Sequence, residues 1–218
     1  MRIQRGNTVV FGLLVSLLTP STVLEQVPSK PAADVTPLEY EILSAYITDA
    51  FTGTKGEDRV GWHVSNIVIV NMTRCDLNDS QIEDENDKPF SWKRASRFLR
   101  KQAPTLQQAT IEKLREVGTQ SAPFRPSFQL PVPYQLVDAK EIDAVFTNNG
   151  WWTDYYKKYP SSQGYLVLSK VGFSADGRQA LFYAENRCGG KCATGTYVLM
   201  QKSGTSWKLV KEIVIWVS

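Results

Sequence analysis

The chain has 218 residues, 42% hydrophobic and 22% charged, which suits one or two globular domains with a core of normal size. Its formal charge is +3, and removal of the first 24 residues would take Arg2 and Arg5 with it, leaving 23 basic against 22 acidic side chains. A chain so near neutrality offers no electrostatic case for nucleic acid.

The first 24 residues have the layout of a signal peptide. Arg2 and Arg5 form a basic start, Thr8 to Leu18 an apolar stretch too short to span a bilayer comfortably, and Thr19-Pro20-Ser21-Thr22 breaks it. No A-x-A triplet marks the cleavage site, so an uncleaved anchor is the lesser reading. No later segment has the length and apolarity of a membrane span. The expectation is export, to the periplasm or beyond the cell. Residues 25–37 carry Pro28, Pro31 and Pro37 among small and polar residues and read as a flexible linker. Residues 38–218 then form one globular domain.

Leu38, Ile42, Ala45, Tyr46 and Ala50 recur at helical spacing. Thr36 is the expected N-cap, with Glu39 at the capping-box position, and Gly53 and Gly56 are expected to end the helix. Residues 64–72 are apolar and β-branched, a buried strand. The acidic run from Asp76 to Asp87 reads as a loop. As a calcium loop it fails at Gln81, where the turn requires glycine. Two helical stretches follow, "SWKRASRFLRKQ" and "TLQQATIEKLREVG", divided by Pro104. The basic run Lys93, Arg94, Arg97, Arg100 and Lys101 reads as a salt-rich helix beside those six acids. Four prolines between 123 and 133 leave only an extended or edge segment. Asp138 opens a further helix, with Glu141 at its capping-box position.

"WWTDYYKKYP" places Trp151, Trp152, Tyr155, Tyr156 and Tyr159 within nine residues. At helical spacing, part of this set packs on a sheet and part faces outward, because adjacent residues sit about 100° apart. The outward members, with Asp154 and Lys157 as hydrogen-bonding neighbours, are the candidate binding surface for a saccharide or protein ligand. Packing alone is the plainer reading of the same residues.

The last 54 residues hold four strand-like runs separated by "ADG", "CGGKCA" and "SGT". They form a four-stranded antiparallel meander, packed by the first helix and by the aromatic helix. Phe173, Leu181, Tyr197, Leu199, Val210 and Val214 are expected inside. The fold class is α+β. Cys188 and Cys192 flank two glycines between strands, where a disulfide staple fits better than a redox motif, which needs a helix start. Cys75 and His63 complete the ligand count of a Cys₃His zinc site, but nothing in the sequence makes the four converge. His63 is the one histidine, which argues against histidine-based hydrolysis. No P-loop, dinucleotide fingerprint or nucleophile elbow appears, so no cofactor and no catalytic residue is assigned.

"WWTDYYKKYPSSQGYLVLSKVGFSADGRQALFY", "CGGKCATGTYVLMQKSGTSWKLV" and the closing "WVS" resemble a family of exported bacterial proteins. "LEYEILSAYITDAF" and "NIVIVNMT" fit the same family. The resemblance implies bacterial origin, export and a single domain, and it supplies no activity and no catalytic residue. The functional expectation is a non-catalytic binding module of the cell envelope. The alternative is a carboxylate-dependent hydrolase of cell-wall material.

Overall fold

A capping box starts the first helix as the sequence suggests. The computed structural model describes residues 33–75, 77, 91–147 and 151–218. In α1 (Pro37–Phe51) the Thr36 amide donates to Glu39 Oε2 at 2.8 Å and the Glu39 amide donates back to Thr36 Oγ1 at 3.3 Å. Glu39 is itself buried, and its Oε1 accepts from the Val171 amide at 3.1 Å, so one carboxylate caps the helix and docks it. The linker assigned to 25–37 is engaged at its end. Lys170 Nζ donates to the carbonyls of Ala33 and Asp34, and Val35 is buried. Helix α1 does end just before Gly53, whose φ is +62°, but a second short helix, α2 (Gly53–Val60), starts there at once and contains Gly56.

The sheet is mixed. Its order is β2 (Tyr134–Val137), β1 (Asn66–Val70), β3 (Ser162–Leu168), β5 (Gln179–Arg187), β6 (Thr194–Ser203) and β7 (Ser206–Val217), with β4 (Gly172–Phe173) pairing β5. Strands β3, β5, β6 and β7 run antiparallel to their successive neighbours, which is the expected meander. The early strand lies inside the sheet, parallel to β2 on one side and β3 on the other. An uninterrupted "NIVIV" suits that place, since a parallel strand is apolar on both faces. The proline-rich segment ends in β2, an edge strand.

Alternation along the strands assigns the two faces. Ile67, Ile69, Leu166, Leu168, Ala180 and Phe182 share one apolar cluster with α1. Their odd-even partners face the other way, in two clusters. Leu181, Tyr197 and Leu199 pack under α3 (Trp92–Gln102) and α4 (Gln108–Val117). Val68 and Val70 pack under α5 (Ala139–Phe146) and α6 (Trp151–Lys158). Helices therefore cover both faces. The aromatic helix lies on the parallel half, and α3 with α4 covers the antiparallel half. Helix α4 approaches so closely that a Cβ on Gly172 would sit 2.3 Å from the Leu114 nitrogen.

Two expected core residues are exposed. Val210 is 48% and Val214 51% accessible, while Phe173 is partly buried. Both valines belong to β7, the edge strand, whose register slips twice against β6. Leu209 and Lys211 pair with consecutive residues of β6, which leaves Val210 as the extra residue of a bulge. Among the described residues no helix is long and apolar enough to cross a membrane.

Candidate functional site

The sheet and α6 build an aromatic corner from the inside outward. Tyr155 is 0% and Tyr159 2% exposed, so these two candidate residues hold the helix down and offer no face to a ligand. The Tyr155 hydroxyl donates to the Gly164 carbonyl at 2.8 Å. The Tyr159 hydroxyl donates to Glu141 Oε1 at 2.8 Å, which ties α6 to α5. Gly164 makes room for this arrangement. Its φ is +91°, and a Cβ there would fall 2.0 Å from the Arg187 carbonyl oxygen.

Trp152 and Tyr156 form the next layer, both half-buried. The Trp152 ring stacks on Tyr165 with centroids 6.1 Å apart and meets Phe146 edge-on at 5.1 Å. Tyr156 meets Trp62 edge-on at 5.5 Å, and the Trp62 indole N–H donates to the Ser162 carbonyl at 2.8 Å. Burial pushes the Tyr155 and Tyr156 phenols well above the ordinary phenol range, so both stay protonated and act as donors.

The disulfide loop closes the corner. Cys188 and Cys192 are bonded across the turn between β5 and β6, with their Cα atoms 5.5 Å apart. The bond rules out a redox dithiol in this state and removes two of the four ligands a Cys₃His zinc site needs. Cys75 is half-buried and outside the disulfide bond, and His63 is exposed. Among the described residues no group of acids, histidines and cysteines could hold a metal. The Tyr156 hydroxyl donates to the Cys188 carbonyl at 2.9 Å. A Cβ on Gly190 would sit 4.0 Å from Trp151 Cζ3, so the Trp151 ring lies over the loop.

Trp151 is the outermost member. It is 65% exposed and has a φ of +50°. A left-handed backbone is unfavourable for a bulky side chain, and such outliers concentrate where the surrounding structure imposes a geometry. Asp154, three residues on, pairs with Lys157 at 2.9 Å. It also lines a shallow groove of about 370 Å³ between α5 and α6, with Glu141, Ala144, Val145 and Lys158. Both carboxylates of that groove have lysine partners, Lys158 lying 2.8 Å from Glu141. The Lys158 hydrogen bond, helped by Tyr159, holds Glu141 below the usual carboxylate range, which is the wrong direction for a general acid.

A second polar constellation has no counterpart in the sequence reading. Glu185, on β5, is 0% exposed. It accepts from Arg74, from the Arg187 Nε at 2.9 Å and from the Tyr183 hydroxyl at 3.2 Å. The Tyr183 oxygen accepts in turn from the Trp216 indole at 2.7 Å. Such a saturated buried carboxylate fastens the segment after β1 to β5. An acid inside the apolar run "RQALFYAENR" was its one visible sign. Likewise Trp62 joins the aromatic corner from 94 residues away, a contact that helical spacing around 151–159 gave no means of finding. The acidic run, apart from Leu77, lies outside the described residues, as do Asn148, Asn149 and Gly150. No family model, curated protein or solved structure matches the chain.

Proposed function

We propose that this chain is an exported, non-catalytic binding module of the cell envelope, which takes a saccharide chain at the corner made by α6 and the disulfide loop. One observation carries the reading: Trp151 is 65% exposed, in a left-handed backbone, with its ring beside Gly190 of the disulfide loop. A sugar ring presents a face of C–H bonds to an indole and hydroxyls to its rim. Trp151 would supply the first contact, and Asp154 with Lys157 the second. The disulfide loop beside the ring matters because a side chain already restricted before binding loses less freedom on binding. Export is supported by the signal-like first 24 residues, by the disulfide and by the resemblance to exported bacterial proteins.

The hydrolase reading has less behind it. The carboxylates at the α5–α6 groove are tied to lysines, and Glu141 gives up its proton more readily than an ordinary glutamate. Titration with soluble cell-wall oligosaccharides, followed by tryptophan fluorescence and calorimetry, tests the proposal. Trp151→Ala should weaken binding at least 10-fold and leave the melting temperature nearly unchanged. Unchanged affinity in that variant would overturn the assignment. Release of new reducing ends, abolished by Glu141→Gln or Asp154→Asn, would instead establish the hydrolase.

A further inference from the structure

Helices α3 and α4 enclose a groove of about 680 Å³ on the antiparallel half of the molecule. Lys93, Arg97, Arg100 and Lys101 line it from α3 and Arg115 from α4, and all five are exposed. Glu112 is the one carboxylate among its described lining residues, and it already accepts from Gln108 Nε2 at 3.1 Å. Gln108 Oε1 in turn accepts from Ser96 Oγ at 2.8 Å, which ties the two walls together across the groove. No described residue forms an ion pair with any of the five cations, whereas Lys113, outside the groove on the same helix, is paired with Glu116. The acids that the sequence sets against this basic run lie outside the described residues.

Among the described residues, this surface sets five cations against one engaged carboxylate. Their spacing sets the shape of the missing partner. Lys93, Arg97 and Arg100–Lys101 lie on successive turns of α3, a row of about 12 Å with charges roughly 6 Å apart along the axis. Arg115 faces the same groove from the opposite wall. We infer that the groove is a docking site for a linear phosphate polymer lying along α3. A chain phosphate carries unesterified oxygens directed to different sides, so one group can be met from both helices. A carboxylate holds its two oxygens in one plane, whereas the tetrahedral phosphate sets its oxygens out of plane. The groove is concave, so a flat bilayer would touch its rim only. Trp92, the one aromatic among the described lining residues, is half-buried and packed against the core below, so it offers little face for a base to stack on. This surface is separate from the Trp151 corner and does not depend on the function proposed for it.

The test is binding of labelled inorganic polyphosphate to the full chain, read by fluorescence anisotropy. Four neutralised charges on a flexible polyanion should make affinity fall roughly 50-fold between 50 and 200 mM NaCl. Replacing Arg97 and Arg100 together by Ala should weaken binding at least 10-fold, while the double Lys replacement should recover part of it. Lys113→Ala and Trp151→Ala should bind like the wild type. Hydrogen exchange of the wild type should show new protection confined to α3 and α4 when polyphosphate is added, a readout that needs no variant to fold. Absence of binding, or equal losses in Lys113→Ala and in the groove variant, would overturn the inference. So would tighter binding of poly-glutamate, of an oligothymidylate or of phosphatidylglycerol vesicles. Binding that appears only after Glu83, Asp84, Glu85 and Asp87 are neutralised would assign the groove to the chain's own acids and overturn it equally.

Discussion

The two helix pairs that share one face of the sheet are built on different chemistry. Under α3 and α4 the buried side chains are mostly aliphatic, Leu99, Ile111, Leu114 and Leu199 among them, and the polar side is left to cations. Under α5 and α6 aromatic rings, Tyr155, Tyr159, Trp152, Tyr156, Phe146 and Tyr165, make up half of the cluster, and the two buried hydroxyls are assigned one by one, Tyr155 to Gly164 and Tyr159 to Glu141. Aliphatic packing is non-directional, so α3 and α4 are held mostly by volume and contact, with directional bonds at the start of α4, where buried Gln179 accepts from the Gln107 amide at 2.8 Å and from the Thr110 hydroxyl at 3.2 Å. Phenols buried with a hydroxyl need a partner at a set distance, so α6 is held in position and in rotation as well. A surface that must present one ring in one orientation is served by the second kind of support. A surface that presents charge to a flexible chain is served by the first.

Substitutions can break or sharpen this contrast. Leu199→Ala, beneath α3 and α4, should cost about 2–5 kcal/mol in denaturant melts, because the site is fully buried. A loss below about 1 kcal/mol would mean that this half is not packed as described. Gly172→Ala puts a methyl into the α4 backbone and should cost about 1–3 kcal/mol or more, through overpacking with no change in polarity. Tyr155→Phe preserves volume and removes only the donor to Gly164. The cost should be about 1–2 kcal/mol in the same melts, and amide exchange should rise in α6 but not in α4. If Tyr155→Phe is neutral, the aromatic half is held by volume too, and the contrast disappears. Trp151→Ala should lie within about 0.5 kcal/mol of the wild type, since the ring is largely exposed. Trp151→Gly should be more stable than Trp151→Ala by roughly 0.5 kcal/mol, because glycine alone meets a left-handed φ without a Cβ clash. Equal melts for the two would show that the left-handed backbone at 151 is not imposed.

Local chemistry made much of this legible in the sequence. Thr36 and Glu39 announce the first helix, and the turns around Gly177, Cys188–Cys192 and Gly204 announce the meander and its staple. Helical spacing requires one ring at the surface but leaves open whether Tyr155 and Tyr159 or Trp152 and Tyr156 are buried; the structure buries the first pair and exposes Trp151. Contacts between distant segments were not legible. Nothing in "NIVIV" says that it pairs in parallel with residues 134–137 and 162–168, or that α3 and α4 rather than the aromatic helix cover the antiparallel strands. Val210 and Val214 look like core residues because a strand pattern assumes unbroken alternation, and two bulges shift that alternation on β7. The salt-rich helix expected of the basic run depends on acids that lie outside the described residues.

The two ends of the sheet guard themselves differently. A strand edge with open amides and carbonyls can recruit a strand from another molecule. At one end β2 is only four residues long, and Pro131 and Pro133 stand just before it, so a foreign strand finds little ladder to extend. At the other end β7 runs for twelve residues with Val210, Val214 and Val217 exposed, a far longer template. Its two bulges interrupt the flat spacing that an added strand requires, and Lys208 and Lys211 put charge on the same edge. The irregularity that exposes Val210 therefore also makes β7 a poorer template for edge-to-edge pairing.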